Sequence, residues 1–461
     1  MRVVTGLSML VLGVGGIGHA LVSGVDGGIG RVDPFKDMKN RPAAGRGTNI
    51  LLVGTDGRDR ITPAERRRYR LGGVPCHCTD TIMLVHVSEN QERASVVSLP
   101  RDTFVTLPAH TDMTTGQRHG THSVKLNAAY AEGGPALTVS TVERITKLKV
   151  DHYLEIDFTS FMKTVDAVGG VRICTARPLK DTYTGLDLPA GTHELDGGKA
   201  LQYVRSRHVD GAADLGRMQR QQRFMAALIQ QATSSGVLLN PVKFRQVSQA
   251  MLQSVRADRA FGADQMLALG STMRDFTPAS SEFTSVPVRN TSHPIKGIGS
   301  TVQWDPVKAE ALFSALREDK PLSPPGSADR RHGTAKALVD VPPAQVRVQV
   351  YNGTSIDGLG ARVDAGLRAT GFTTSGRPRN SGARHDVRRT VVLYDPRWDR
   401  SAHTLAAALP GSELRPVKNQ GPTLRVLAGT DFTKVTPVRA ESALTGRGAF
   451  GTTTGDEAVC P

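Results

Sequence analysis

Thr81-Ile82-Met83-Leu84-Val85-His86-Val87, Ser88-Glu89-Asn90-Gln91-Glu92-Arg93 and Ala94-Ser95-Val96-Val97-Ser98-Leu99 follow one another without a break, and their reading decides the fold. Two β-rich runs flank a polar segment of the length that a hairpin loop requires. With the loop centred near residues 90 and 91, residues equidistant from the turn face each other, so Asp80 stands opposite Arg101. A carboxylate and a guanidinium then share one end of a sheet.

Upstream, Asn49-Ile50-Leu51-Leu52-Val53-Gly54 reads as a short buried strand with Asp56 just beyond it, and downstream Asp102 follows Arg101 directly. A single Asp at a strand end is most simply a solvated one. A cluster of charged groups at neighbouring strand ends is a candidate site. Helical patterns follow at residues 128–147, 158–168, 197–204 and 215–232, so residues 47–320 read as one α/β domain, an α+β mixed sheet flanked by helices.

The remaining chain divides by composition. Residues 321–345 are Pro-, Ser- and Gly-rich and read as a linker. In residues 346–432, Val346-Arg-Val-Gln-Val-Tyr351 alternates like a strand, residues 359–370 are helix-like, and Thr390-Val-Val-Leu-Tyr394 and Leu424-Arg-Val-Leu427 supply further strands, which is a small βαβ-type domain. Residues 433–461, rich in Thr, Gly and Ala without periodicity, read as a disordered tail. At the other end, residues 3–25 contain no Asp, Glu, Lys or Arg. At about 1.5 Å per helical residue they can cross a bilayer core about 30 Å thick. Residues 1–25 are therefore expected to be a transmembrane helix and anchor, in preference to a signal peptide cleaved after Gly18-His19-Ala20, with residues 26–46 as a polar stalk. Either reading exports the rest, and the expected location is a single-pass cell-membrane protein with its catalytic domain outside the cytoplasm.

A formal net charge of +15 calls for an anionic partner. Export, and the lack of a helix-turn-helix or stacking-aromatic motif, argue against nucleic acid. The second set of candidate residues lies in Tyr203-Val204-Arg205-Ser206-Arg207-His208-Val209-Asp210. Arg205 and Arg207 face one way only in extended backbone, so the helix before them is expected to end near Val204. Asp214 then reads as the N-cap of a helix whose apolar stripe holds Met218, Met225, Leu228 and Ile229. Gln221 falls within that stripe and needs a partner, either backbone or a cavity, and Arg217 lies at its flank. Arginine forks match phosphate oxygens, and Mg2+ binds through one or two carboxylates plus phosphate, so these residues suit a pyrophosphate. No Walker loop, HExxH or nucleophile elbow is present.

Taken in order, Gly54-Thr-Asp56, Cys78-Thr-Asp80-Thr81, Ser98-Leu-Pro-Arg101-Asp102-Thr103, Lys125-Leu-Asn127, Val168-Gly-Gly170, Leu195-Asp-Gly197 and Arg205-Ser-Arg207-His-x-Asp210 resemble the LytR-CpsA-Psr family, and residues 346–432 resemble the LytR C-terminal domain. The resemblance implies a phosphotransferase that moves an anionic glycopolymer of teichoic acid, capsule or arabinogalactan type from a polyprenyl-pyrophosphate carrier at the cell membrane to peptidoglycan. Carried over by position, Asp56 and Asp80 would hold Mg2+, and Arg101, Arg205, Arg207, Arg217 and Gln221 would contact the pyrophosphate. Arg101, Asp102 and Asp210 are the expected catalytic residues, with Asp102, Asp210 and Asp214 the candidates for general base. Many members carry Arg two residues before the metal-site Asp; here that position is Cys78.

Such a transferase needs an apolar tunnel for the polyprenyl tail, and helices 128–147 and 215–232 are the expected walls. A polyprenyl-pyrophosphate phosphatase would use the same residues with water as acceptor. A non-catalytic wall-binding or regulatory protein is the reading from another class, disfavoured by the presence of Asp56 and Asp80. Arg377, Arg379, Arg384, Arg388 and Arg389 of the second domain would either hold anionic polymer or form an ordinary basic surface. Among Cys76, Cys78, Cys174 and Cys460, a disulfide from Cys78 or Cys76 to Cys174 is the expected pairing.

Overall fold

A computed structural model describes residues 30–36, 38–57, 61–72, 78–209, 213–234, 255–262, 265, 277–323, 337–339, 341–382, 386–440 and 450–460. The anchor expected over residues 1–25 lies outside them. Among the described residues, no helix is long and apolar enough to cross a membrane.

Along the chain, β1 (Gly30–Val32) and β2 (Thr48–Thr55) precede a short helix α1 (Pro63–Arg68) and the hairpin β3 (Thr79–Val87) and β4 (Ala94–Leu99). Four short strands come next, β5 (Phe104–Leu107), β6 (His110–Thr111), β7 (Arg118–His119) and β8 (His122–Lys125), and then α2 (Ala128–Thr146), β9 (His152–Ile156) and α3 (Phe158–Ala167). β10 (Val171–Thr175), β11 (Leu179–Asp181), β12 (Leu186–Leu188) and β13 (Gly191–Leu195) lead into α4 (Gly197–Arg205) and α5 (Ala213–Ser234). β14 (Val255–Asp258), β15 (Ser281–Ser285) and α6 (Pro306–Arg317) complete the unit.

The hairpin has the expected register, with Ile82 opposite Leu99 and Val87 opposite Ala94. Gln91, at φ 61°, turns the loop, and Ser88 N donates to Arg93 O at 2.9 Å. β2 runs antiparallel to β3 and parallel to β9, and β15 runs parallel to β4, giving a mixed central sheet in the order β1-β14-β9-β2-β3-β4-β15, with the strand Thr453–Thr454 on the β15 edge.

Side chains alternate across this sheet and build two cores. Leu51, Val53, Ile82, Leu84 and Val97 pack with Leu137, Val139 and Val142 of α2 and Leu312, Phe313 and Leu316 of α6. On the opposite face, Met83 and Val96 share a core with Phe158, Met162 and Val165 of α3, Leu201 and Val204 of α4, and Phe224 of α5. Each such side chain, fully buried, contributes about 1.5–3 kcal/mol. α2 is kinked rather than continuous: Gly133 and Gly134 leave helical backbone, and Pro135 lacks the N–H that would bridge the break.

The C-terminal unit holds two βαβ crossovers where the sequence suggested one. Arg347–Asn352, helix Leu359–Ala369 and Thr373–Thr374 form the first; Val391–Tyr394, helix Asp399–Ala408 and Glu413–Pro416 form the second, and Thr423–Ala428 lies between them in one sheet.

Two expectations are corrected at the flanks. Within the expected linker, Leu322 is buried in the core of the larger unit, its N–H and that of Ser323 donate to Glu282, and Ala337–Val339 pairs in parallel with Val438–Ala440. Within the expected disordered tail, Thr284 Oγ1 donates to Phe450 O at 2.6 Å, Thr453–Thr454 pairs with β15, and the helix Gly455–Ala458 packs on α5. An open sheet edge offers backbone partners that weak periodicity does not reveal. The tail also corrects the disulfide: Cys174 bonds Cys460, with Cα atoms 5.4 Å apart, and Cys78 is disulfide-bonded separately.

Candidate active site

Between β2 and β3 the register slips, Gly54 pairing with Thr81 but Thr55 with Thr79, so that Asp80 is the extra residue of a bulge. A bulge re-aims a side chain. The Asp80 carboxylate meets the Arg101 guanidinium across the hairpin end in an ion pair, and lies 3.8 Å from Arg207 Nη2. Arg217 Nη2 donates to the Asp80 carbonyl at 3.2 Å. Burial alone would raise the Asp80 carboxyl; the neighbouring Arg101, Arg217 and Arg207 charges outweigh it and hold the group below its ordinary value.

α4 ends at Arg205, because Ser206 is extended at φ −61° and ψ 138°. This places both Arg205 and Arg207 on the cavity described below. The extended residue is held from several sides. Its hydroxyl donates to Gln202 O at 2.8 Å and lies 2.9 Å from Thr184 Oγ1, and the Arg220 guanidinium donates to its carbonyl. Asp181, buried at the end of β11, accepts the backbone N–H groups of Arg207 at 2.9 Å, His208 at 3.3 Å, Tyr183 at 2.9 Å and Thr184 at 3.3 Å. Burial pushes the Asp181 carboxyl up, and these N–H groups more than reverse it, leaving it below its ordinary value.

α5 begins at Ala213, so Asp214 lies in its first turn and is not its N-cap. It pairs with Arg217 Nη2 at 2.9 Å and with Arg207 Nε at 3.5 Å. Arg217 is buried, which pushes its guanidinium down to about 10 despite Asp214. Gln221 Nε2 donates to Thr81 Oγ1 at 2.9 Å and to Val204 O at 3.3 Å while lining the cavity, so both options open to it in the sequence are realised.

Asp56 is buried beyond the end of β2, its N–H donating to Cys78 O at 3.4 Å. Asp102 turns from the cavity lining to Lys125 Nζ at 3.2 Å, with Arg101 Nε at 3.8 Å. Asp210 lies outside the described residues. In the C-terminal unit Arg377, Arg379, Arg388 and Arg389 are exposed, and Arg384 lies outside the described residues.

A cavity of about 740 Å3 opens from this cluster. Its polar end is formed by Asp80, Arg101, Arg205, Arg207, Arg217 and Gln221, and its walls by Leu52, Met83 and Val85 of the sheet, Phe158 and Phe161 of α3, and Phe224, Met225, Leu228 and Ile229 of α5. α2 is not a wall, contrary to expectation, because it covers the opposite sheet face. The buried Nε atoms of Arg101 and Arg217 make no hydrogen bond among the described residues. Clustered guanidinium groups at the head of an apolar cavity suit an amphiphile with an anionic head. As for a metal, Asp56 and Asp80 offer two carboxylates at adjoining strand ends, and disulfide-bonded Cys78 offers no thiolate, so the donor set fits a hard, oxygen-preferring cation.

Asp181 and Arg220 escaped the sequence reading. Asp181-Thr182-Tyr183-Thr184-Gly185 carries the signature of an Asx turn, which would have marked a turn but not what it holds. Arg220, three residues after Arg217, gave no signal of burial.

The LytR-CpsA-Psr family profile matches residues 27–316, and the profile described as LytR cell envelope-related transcriptional attenuator matches residues 345–432. Cell wall biosynthesis protein LcpA of Corynebacterium glutamicum is 31% identical over 399 residues, covering 80% of this chain and 75% of that protein. Probable cell wall biosynthesis protein LcpB of the same organism is 36% identical over 315 residues, covering 67% and 70%. The polyisoprenyl-teichoic acid–peptidoglycan teichoic acid transferase TagU of Oceanobacillus iheyensis is 28% identical over 250 residues, covering 54% and 69%. The profile match, which takes in most of the chain and every described residue of the charged cluster, makes this chain a member of the LytR-CpsA-Psr family.

Proposed function

We propose that this chain transfers an anionic glycopolymer from a polyprenyl-pyrophosphate carrier to peptidoglycan, at the outer face of the cell membrane. The observation that carries the reading is the cluster of Arg101, Arg205, Arg207 and Arg217 around Asp80 at the polar head of an otherwise apolar cavity. The names of the relatives, cell wall biosynthesis proteins and a teichoic acid transferase, support the same class of reaction.

In this reading the polyprenyl tail lies along Phe161, Met225 and Leu228, and the pyrophosphate meets Arg101, Arg205, Arg207 and Arg217. An acceptor hydroxyl of peptidoglycan attacks the phosphorus that bears the glycan. The new O–P bond forms as the bond to the bridging oxygen breaks, polyprenyl phosphate leaves with that electron pair, and the hydroxyl proton passes to a base. Asp102 and Asp214 are both engaged in ion pairs and act here as positioning residues. The arginine forks neutralise charge as it spreads over the phosphate oxygens, which is most of what phosphoryl transfer asks of a protein. Asp56 and Asp80 would hold Mg2+, which when bound supplies further neutralisation of the phosphates.

The test is to combine the full chain in detergent with a polyprenyl-pyrophosphate glycan, peptidoglycan oligomers and Mg2+, and to look by mass spectrometry for the glycan–peptidoglycan phosphodiester. Its formation by wild type but not by Asp80→Ala supports the transferase. Release of lipid phosphate without that product would replace transfer with hydrolysis, and lipid binding without turnover would favour a binding protein.

A further inference from the structure

We propose that His110, His119 and Glu132, with His122 as the fourth group, form a zinc-type metal site that clips β6, β7 and β8 onto the first turns of α2. His110 and His119 are cross-strand partners in the β6–β7 hairpin. The three imidazole rings form a near-equilateral triangle, with centroids 5.5, 5.5 and 5.6 Å apart. Ligand atoms of His110, His119 and Glu132 all lie within 4.8 Å of one another, and the three residues are half-buried.

The hydrogen bonds at the far side of two rings point to a cation between them. His110 Nδ1 lies 2.9 Å from Pro108 O, and His122 Nδ1 lies 3.0 Å from Gly120 O. A carbonyl only accepts, so each Nδ1 carries the proton. That leaves Nε2 as the nitrogen that can offer a lone pair: in His122 it is aimed at Glu132 Oε2 at 2.9 Å, and in His110 it is buried, 3.2 Å from the same oxygen, with no hydrogen-bond partner among the described residues. A lone pair held that close to a carboxylate repels it unless positive charge stands between them. An imidazole whose Nδ1–H is locked by a backbone carbonyl is the usual outer-shell arrangement of a metal ligand.

The backbone supports the same arrangement. Met113 N donates to Glu132 O at 2.7 Å, and the break at Gly133 and Gly134 directly after Glu132 lets that first part of α2 lean onto the hairpin. Three nitrogens and one carboxylate oxygen suit tetrahedral Zn2+, whereas Mg2+ and Ca2+ prefer oxygen alone. With His122, which reaches the cluster through Glu132, turned in as the fourth ligand, the protein would fill every position and the site would be structural. β8 carries His122 at one end and Lys125, the partner of Asp102, at the other, so the clip also steadies the strand that holds Asp102.

The test uses the untagged full chain in detergent, loaded with Zn2+, desalted and assayed for bound metal by mass spectrometry, with Co2+ substitution as a second measurement. One zinc per chain is expected in wild type and in Asp80→Asn, with affinity lowered roughly 100-fold or more in His119→Ala and Glu132→Gln. Bound Co2+ should show the strong visible absorption of a tetrahedral site. Failure of wild type to retain zinc, or equal retention in both ligand variants, would overturn the proposal. Should those variants not fold, the Co2+ spectrum of wild type decides, and a weak octahedral band counts against the site.

Discussion

Asp80 and Arg101, 21 residues apart in sequence, close the open end of one hairpin with an ion pair. Arg101 therefore does two jobs in the proposed reaction: it balances Asp80, and it lines the head of the cavity where the pyrophosphate would lie. Arg101→Ala is expected to lower kcat/KM for glycan transfer by about 10²- to 10³-fold, the cost of removing one preorganised oxyanion donor. Arg101→Lys should recover little of this, because an ammonium is a point charge without a fork. Recovery to near wild type would show that charge alone matters there and would remove the bidentate role.

Asp181 is expected to govern both stability and substrate affinity, although its carboxylate holds backbone and not ligand. Its folded carboxyl is depressed below the unfolded value of about 3.9, so its contribution is fully present above that pH and is lost as pH falls through the folded value. Asp181→Asn should cost about 1–3 kcal/mol at pH 7, the penalty for buried N–H groups that lose an acceptor, and the gap to wild type should narrow below pH ~4. Urea midpoints measured at the two ends of that range check this. The loop that sets Arg207 loosens in the variant, so KM for the pyrophosphate substrate should rise. An equal stability gap at both pH values would exclude the charge-based account.

The cavity makes a prediction about chain length. Val85 lies half-buried on β3 and faces the space between the sheet and α5. Val85→Trp should occupy that space without displacing packed side chains. Excluding two methylenes of a bound tail costs ~1.6 kcal/mol, about a tenfold loss of affinity. KM for a long polyprenyl substrate should therefore rise about tenfold, while a short, water-soluble prenyl analogue turns over as before. Equal losses with both would mean that the tail does not lie there.

How much of this was written in the sequence varies with the physics involved. The Asp80–Arg101 pairing was legible because the length of a hairpin loop fixes the residues on either side of it. The end of α4 was legible because Arg205 and Arg207 share a face only in extended backbone. Periodicity shows that a helix has an apolar face but not which side of a sheet it covers, so α2 was assigned to the cavity when it belongs to the other core. Gly133-Gly134-Pro135 marked the kink in α2 plainly, yet the apolar positions on both sides gave one continuous pattern. The partner of Cys174 lies 286 residues away and depends on a tail that orders only against the edge of β15, a contact with no local signature.

That tail supplies the remaining prediction. Ser323 belongs to the larger unit, the C-terminal unit follows it in sequence, and beyond that unit Phe450 and Thr453–Thr454 again bind β15, the helix Gly455–Ala458 packs on α5, and Cys460 bonds Cys174. Cys460→Ser removes one cross-link and leaves the bond at Cys78 intact, which reduction would not. Constraint of so long a loop in the unfolded chain is worth about 2–5 kcal/mol, so the melting temperature of the variant should fall, and by less if the strand Thr453–Thr454 still holds the tail. Arg217 and Gln221 sit on α5, the helix that the tail covers, but among the described residues their hydrogen bonds run to Asp80, Asp214, Thr81 and Val204 and not to the tail. Turnover well below the melting transition should therefore stay within about twofold of wild type. Matched transfer assays and thermal melts decide the point: a large loss of turnover with little loss of stability would place the tail among the elements that shape the site, and not among those that only brace it.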